Sequence, residues 1–154
     1  MRGDNKGFTL LELLCVLALL GLLTILAVPA VSALGQGKEV ELAARELAID
    51  MRQAQQKALT AGWTQRLEFR LNNNDYIIRD GKTGERIVKK LPDGVSYLFI
   101  RLPLQGSYRL LSFNRFGSPN RGGTVALTND TGDHYYVIIT PATGRVRVST
   151  TDVE

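Results

Sequence analysis

Residues 5–23 read NKGFTLLELLCVLALLGLL, and one carboxylate, Glu12, stands near the start of a run that is otherwise almost wholly apolar. From Leu13 to Leu34 the sequence contains no charged residue. A helix rises about 1.5 Å per residue, so a helix of this length crosses a hydrocarbon core of about 30 Å. The run therefore predicts a membrane-spanning segment. A carboxylate inside such a segment indicates a functional group that needs a partner.

The helical pattern continues past this run in residues 38–62, KEVELAARELAIDMRQAQQKALTAG. Apolar residues recur there at the spacing of one helical face: Val40, Ala44, Leu47, Met51, Ala54 and Ala58. This pattern predicts an amphipathic helix that ends at Gly62. Because only two glycines interrupt the pattern, we expect one long helix from about residue 8 to about residue 61. Pro29 lies in its apolar half and is expected to kink it, because proline lacks an N–H and its ring clashes with the preceding turn.

After Gly62 the sequence alternates with a period of two, which is the period of a strand. Short runs rich in β-branched and aromatic residues are TQRLEFRL, DYIIR, RIVKKL, YLFIRL, YRLLSF, GTVALT, HYYVIIT and GRVRVS. Turn-forming clusters such as PDG and PATG separate them. We therefore predict an α+β fold, in which a long N-terminal helix, half membrane and half amphipathic, packs on an antiparallel β-sheet or small β-sandwich.

Basic residues precede the apolar run. Arg2 and Lys6 favour an N-terminus in the cytoplasm and an exported C-terminal part. A cleaved secretory signal is the competing interpretation, because AVPAVSA at residues 27–33 offers small residues before a cut. Two features favour a retained anchor. The apolar run is longer than the roughly 7 to 15 residues of a signal core, and Glu12 interrupts its start.

The net charge of +4 is unevenly distributed. In residues 101–147 the lysine and arginine positions are all arginine: Arg101, Arg109, Arg115, Arg121, Arg145 and Arg147, against Asp130 and Asp133. This balance permits an anionic partner without requiring one, because moderately basic surfaces are common.

Few residues have the chemistry of a catalytic or metal site. His134 is the only histidine, and we expect it at the end of a strand. The DTG at residues 130–132 matches the triplet of aspartic proteases, but it lies in a polar turn without a second copy and predicts a hairpin loop. The turn NDTGD supplies only two carboxylates for a calcium ion, and no Cys/His spacing suggests zinc. Cys15 has no partner for an intrachain disulfide. We expect no enzyme activity, cofactor or metal.

The N-terminal KGFTLLELL, the long apolar helix with Pro29, the amphipathic continuation and the C-terminal β region together resemble the type IV pilin and pseudopilin family. The motif at residues 6–14 matches nearly letter for letter. Within the family, the arginine-containing β region that ends in GRVRVS resembles the FimT/GspH-like minor pilins and minor pseudopilins.

This resemblance implies that a prepilin peptidase cuts between Gly7 and Phe8 and N-methylates the new amine of Phe8. Phe8 then carries an ammonium four residues from Glu12. In a bundle of such helices, the carboxylate of one subunit pairs with the ammonium of its neighbour, and Glu12 is the expected assembly contact. The alternative for Glu12 is a carboxylate that reaches the membrane interface.

The resemblance divides the chain into four segments. They are a leader peptide at residues 1–7, a transmembrane and assembly helix at residues 8–34, an amphipathic continuation of the helix at residues 35–62, and an exported β domain at residues 63–154. The chain is then expected to be a minor pilin or pseudopilin of a type IV pilus, a competence pilus or a type II secretion pseudopilus. Its expected partners are other pilin or pseudopilin subunits, prepilin peptidase and the inner (cytoplasmic) membrane, crossed once.

The alternative function is that of a DNA-binding minor pilin for DNA uptake. In GRVRVS the strand period places Val146 and Val148 on one face and Arg145 and Arg147 on the other. Arg115 and Arg121, in the glycine-rich loop between strands, are possible reinforcements for phosphate binding. Some FimT-like minor pilins are thought to capture DNA through a Gly-Arg-x-Arg element, which residues 144–147 match. A solvated arginine face is the competing interpretation.

Overall fold

The computed structural model describes residues 10–35 and 38–152, with side chains described for residues 10–23 and from residue 38 onward. Two helices come first along the chain, α1 at Leu10–Gly35 and α2 at Lys38–Ala61. The junction of the predicted single helix, at residues 36 and 37, lies outside the described residues. Pro29 lies within α1, and the kink expected there stays a prediction. None of the helices in the described residues has the length and hydropathy needed to cross a membrane.

The chain forms two units, Met1–Gln36 and Gly37–Glu154. In the first unit, the described part of α1 presents apolar side chains all around the helix, from Leu10 to Leu23. Apolar side chains exposed around a helix are typical of a segment that lipid or neighbouring helices cover. The described part of the first unit therefore has an apolar surface, and its role as an assembly helix stays a prediction.

The second unit continues from α2 into nine strands in the described residues. They are β1 (Gln65–Arg70), β2 (Asp75–Asp80), β3 (Arg86–Lys90), β4 (Val95–Ile100), β5 (Leu104–Gln105), β6 (Tyr108–Phe113), β7 (Gly123–Asn129), β8 (His134–Ile139) and β9 (Val146–Ser149). Every run that predicted a strand overlaps one of these strands. The two-residue strand β5 and a short 3₁₀ helix at Leu71–Asn73 were not predicted.

The strands form two antiparallel sheets, in the orders β3-β2-β1-β6-β5 and β4-β7-β8-β9. Helix α2 packs against strands of both sheets. The sheets also meet each other, because the rings of Phe69 in β1 and Tyr97 in β4 lie edge to face with their centroids 6.3 Å apart. The predicted α+β fold, with a helix packed on antiparallel sheets, is confirmed.

The core lies between α2 and the two sheets. All six residues predicted for the apolar face of α2 are buried, and none is more than 3% exposed. Three of them are alanines, whose small side chains let the sheets approach the helix closely. Larger side chains from the strands, including Phe69, Leu111 and Phe113, fill the remaining space. Every residue of this cluster lies between Val40 and Val146, so the unit Gly37–Glu154 contains a core of its own.

One buried polar cluster joins α2 to the five-stranded sheet, and the sequence pattern did not predict it. Asp50 is buried on α2, and its carboxylate accepts a hydrogen bond from the Tyr76 hydroxyl at 2.5 Å. The Lys89 ammonium lies 2.9 Å from the same carboxylate. Burial, and then the hydrogen bond to Asp50, raise the pKa of Tyr76. The hydroxyl therefore stays protonated and satisfies the buried acceptor.

Candidate functional site

The N-terminal site is described only in part. Gly7 and Phe8 lie outside the described residues. Glu12 lies in the first turn of α1, where its side chain is exposed. A carboxylate in the first turn interacts favourably with the positive end of the helix dipole. Its predicted pairing with the amine of a neighbouring subunit remains a prediction.

The second candidate site is centred on β9, the edge strand of the four-stranded sheet. Val146 is buried at 5% exposure, Val148 is partly buried against the core, and Arg147 between them is exposed. The predicted alternation along GRVRVS is therefore confirmed. Arg147 pairs in register with Ile138 of β8, on the side of the sheet opposite the core valines.

The turn that leads into β9 is held by its own hydrogen bonds. Thr140 N–H donates to the Arg145 carbonyl at 3.0 Å, and Gly144 N–H donates to the Thr140 carbonyl at 2.9 Å. Gly144 has a φ of 64°, in the left-handed region that side chains rarely adopt. This conformation turns the chain, and the exposed Arg145 follows directly before β9.

The loop at residues 114–121, which is part of the glycine-rich stretch NRFGSPNRGG, is also ordered by local hydrogen bonds. The Asn114 side-chain oxygen accepts hydrogen bonds from the N–H groups of Phe116, at 2.9 Å, and Ser118, at 3.1 Å. Asn114 N–H donates to the Ser118 carbonyl at 2.9 Å. Arg115 is exposed, and its guanidinium carbon lies 4.7 Å from the centroid of the Phe116 ring.

The two loops touch each other over α2. The side-chain amide of Gln55 donates to the Gly117 carbonyl at 2.8 Å. A Cβ added at Gly144 would lie 2.4 Å from that amide nitrogen and 3.0 Å from the Gly117 carbonyl oxygen. A Cβ at Gly122 would lie 2.4 Å from the ring of Pro141. The structure therefore brings together the two loops that carry Arg115, Arg121 and Arg145.

Ion pairing and hydrogen bonding divide the six arginines of residues 101–147 into two whose guanidinium groups have a partner and four whose guanidinium groups have no such partner in the described residues. Arg101 forms an ion pair with Asp152 at 2.8 Å, and Arg109 donates to the Leu102 carbonyl at 3.0 Å. In the part of the chain that the structure describes, no carboxylate lies within 4.0 Å of the other four guanidinium groups. Those four are Arg115, Arg121, Arg145 and Arg147, and all are exposed. We call them the arginine group.

The residues considered for enzyme or calcium chemistry lie elsewhere. The DTG sequence lies in the hairpin between β7 and β8, as predicted. In that hairpin Asp133 accepts hydrogen bonds from the side chains of Asn129 and Thr131, at 3.1 and 2.8 Å, which lower the pKa of its carboxyl. His134 is exposed at the start of β8, in agreement with its prediction at a strand end. In residues 10–35 and 38–152 no cluster of His, Cys, Asp or Glu is arranged to hold a metal.

Comparisons with known proteins agree with this architecture. Residues 2–28 match the prokaryotic N-terminal methylation motif. No curated protein sequence matches the chain. The minor pseudopilin EpsH of the type 2 secretion system of Vibrio cholerae has a similar structure, with a TM-score of 0.60 at 11% identity, covering 72% of this chain and 96% of that one. The type IV minor pilin FimU of Pseudomonas aeruginosa gives a TM-score of 0.57 at 14% identity, covering 73% of this chain and 89% of that one.

At these identities the two structures show a shared fold. Together with the methylation motif, they confirm the resemblance to minor pilins and minor pseudopilins.

Proposed function

We propose that this chain is a minor pilin or pseudopilin subunit that assembles through its N-terminal helix into a type IV pilus, a competence pilus or a type II secretion pseudopilus. One observation carries this proposal: a methylation motif over residues 2–28 precedes a unit with the fold of minor pilins and pseudopilins. The exposed apolar side chains of α1 supply the surface for packing against neighbouring subunits.

Processing follows from the same motif. Prepilin peptidase cleaves between Gly7 and Phe8 and methylates Phe8, and the apolar helix remains as an anchor in the inner membrane with its N-terminus on the cytoplasmic side. Glu12 then pairs with the Phe8 amine of a neighbouring subunit. Each charge is costly alone in hydrocarbon, so the pair forms only where two helices are in register.

Processing is tested with Gly7→Ala in cells that contain prepilin peptidase. We expect the unchanged chain to have the intact mass of residues 8–154 plus one methyl group, and Gly7→Ala to keep the full-length mass. Gly21→Ala is the matched control, because it makes the same change within α1, where an added Cβ has no neighbour within 4 Å. Normal processing of Gly7→Ala would contradict the cleavage site.

Assembly is tested with Glu12→Ala and Glu12→Gln in sheared filaments or cross-linked complexes. We expect both variants to be processed normally but to be recovered in filaments at a much lower level, because each leaves the neighbour's ammonium unpaired. Glu39→Ala removes an exposed carboxylate of α2 and is the control for loss of a negative charge. Unchanged incorporation of the Glu12 variants would show that the carboxylate has another role.

The arginine group favours a second candidate function, which is binding of DNA. Arg145 and Arg147 are two residues apart on an extended edge, so their Cα atoms are separated by roughly 6 to 7 Å, near the spacing of successive phosphates. Arg115 and Arg121 lie on the neighbouring loop. No carboxylate in the described residues neutralises any of them, so their charges are available to an anionic polymer.

Titration of duplex DNA with the fragment Gly37–Glu154 at several salt concentrations tests this candidate. We expect Arg145→Ala/Arg147→Ala to lower the slope of log affinity against log salt by about two, because two phosphate contacts are lost. The matched control is Arg66→Ala/Arg86→Ala, which removes two exposed arginines from the five-stranded sheet. An equal effect of both double variants, or no binding at low salt, would show that the arginine group is a solvated surface.

A further inference from the structure

A cleft of about 510 Å³ lies where α2 ends and β1 begins, next to the loop at residues 114–121. Its lining residues are Gly62, Trp63, Thr64, Asn114, Arg115 and Phe116. The two aromatic residues are among the exposed large apolar side chains, Trp63 at 49% and Phe116 at 69%. Neither belongs to the core cluster. Exposed aromatic rings on either side of one cleft are typical of a binding surface.

Two positively charged side chains contact the aromatic rings of this cleft. The Lys82 ammonium lies 5.4 Å from the centroid of the Trp63 ring, and the Arg115 guanidinium lies 4.7 Å from that of Phe116. Each aromatic ring therefore has a cation over one of its faces. No carboxylate is among the residues that line the cleft. The cleft combines flat apolar surfaces with positive charge, which suits a ligand that is both flat and anionic.

The walls of the cleft are held in place before any ligand binds. Asn114 fixes the backbone on both sides of Phe116, as described above. Gly117 packs closely against α2, because a Cβ there would lie 2.9 Å from the Leu59 side chain. On the opposite wall, Gly81 N–H donates to the Thr64 carbonyl at 2.9 Å and holds the segment that carries Trp63. A preorganised cleft of this kind loses little conformational entropy on binding.

We propose that this cleft binds unpaired bases of a single-stranded nucleic acid, which stack on Trp63 and Phe116 while the adjoining phosphates lie near Lys82 and Arg115. Every base has a π-face, and stacking on exposed aromatic residues beside a basic surface is how single strands are bound without sequence preference. A base in a duplex is covered by its neighbours on both faces, so the rings select unpaired strands. An acidic peptide would use the cations and leave the rings unused.

The position of the cleft extends this argument. Its wall at Asn114–Phe116 belongs to the same loop that contacts the turn at residues 140–145 through Gly117 and Gly144. A strand stacked in the cleft therefore continues toward the arginine group. The inference rests on the second candidate function and deepens it, because it names the form of the nucleic acid and the groups that recognise bases.

Trp63 is the only tryptophan of the chain, so its fluorescence reports on the cleft directly. We titrate the full chain in neutral detergent with a short oligothymidylate. A polymer of abasic deoxyribose phosphate of equal length is the control with the same charge and no bases. We expect saturable quenching by the oligothymidylate and none by the abasic polymer. Phe116→Ala should weaken binding about 5- to 150-fold, and Phe116→Tyr should restore it.

Leu104→Ala is the matched control, because Leu104 is also exposed, at 64%, but belongs to β5 and is not among the residues that line the cleft. It should bind like the unchanged chain. Equal quenching by the abasic polymer, full affinity of Phe116→Ala, or equal competition by oligoglutamate would overturn the proposal. Arg145→Ala/Arg147→Ala separates it from the arginine candidate. That variant should bind more weakly with a reduced salt dependence, but its quenching at saturation should be unchanged if the cleft binds bases.

Discussion

The substitution Gly144→Ala tests the contact between the two loops that form the second candidate site. Its added Cβ would meet three groups: the Gln55 amide nitrogen at 2.4 Å, the Gly117 carbonyl oxygen at 3.0 Å and the Pro119 ring at 3.2 Å. The first of these distances is too short for any Cβ. The Gln55 side chain must therefore move, and its hydrogen bond to the Gly117 carbonyl is lost or weakened.

The expected magnitude has three parts. A side chain in the left-handed region raises the free energy of the folded state by about 1 to 2 kcal/mol. Alanine also lowers the conformational entropy of the unfolded chain, which stabilises the folded state by about 0.4 to 1 kcal/mol and offsets part of this cost. Loss of the hydrogen bond from Gln55 costs about 0.5 to 1.5 kcal/mol. We expect a net destabilisation of about 2 kcal/mol, roughly half of it from the contact.

Urea unfolding of the fragment Gly37–Glu154 measures this value, with Gly84→Ala as the control. Gly84 has a φ of 71°, close to the 64° of Gly144, but an added Cβ there has no neighbour within 4 Å. It should therefore show only the backbone effect, about 1 kcal/mol. In a chain that already carries Gln55→Ala, Gly144→Ala should destabilise by little more than Gly84→Ala does, because the hydrogen bond from Gln55 is already absent. Equal destabilisation by Gly144→Ala and Gly84→Ala would refute the contact between the loops.

Two further predictions concern buried and partly buried polar groups. Tyr76→Phe should lower the free energy of unfolding by about 1 to 3 kcal/mol in urea titrations, because the buried Asp50 carboxylate loses a donor. Tyr108→Phe, whose hydroxyl has no hydrogen bond in the described residues, should change it by less than about 0.5 kcal/mol. The pKa of Asp80 is lowered by hydrogen bonds from the backbone N–H of Thr83, the Lys57 ammonium, the backbone N–H of Lys82 and the Gln65 amide. Its stabilisation is therefore complete above the unfolded pKa of about 4 and is lost as the pH falls toward the lower folded value. Asp80→Asn should destabilise the chain more at pH 7 than under strongly acidic conditions, and a pH-independent difference in urea midpoints would contradict this account.

The elements with regular periods were predictable from the sequence. The six apolar positions of α2 are buried because a helix brings residues three or four apart to one side, and that geometry depends on local spacing alone. The strand period likewise predicted that Val146 is buried and Arg147 exposed. The short strand β5 escaped prediction because two residues contain no period, and it forms only by pairing with β6.

Contacts between distant segments were not predictable in this way. Asp50 lies on the buried side of α2, where a helical pattern predicts an apolar residue, and only its contacts with Tyr76 and Lys89 explain it. Trp63 and Phe116 line one cleft although they are far apart in the sequence. The sequence shows Phe116 beside Arg115 in a loop, but its exposure and its partner across the cleft depend on the tertiary fold.

The geometry of the second unit allows the two proposed functions to operate together. In the sequence, helix α2 begins at Lys38, shortly after the segment proposed for assembly. The loop at residues 114–121 contacts α2 at Gln55. Seventeen residues of helix separate these positions, which corresponds to about 25 Å. That distance exceeds the Debye length of about 8 Å at physiological salt, so an anion bound at the loops is screened from charges near residue 38. Variants of the arginine group should therefore change nucleic-acid binding without changing recovery in filaments, and Glu12 variants should do the reverse.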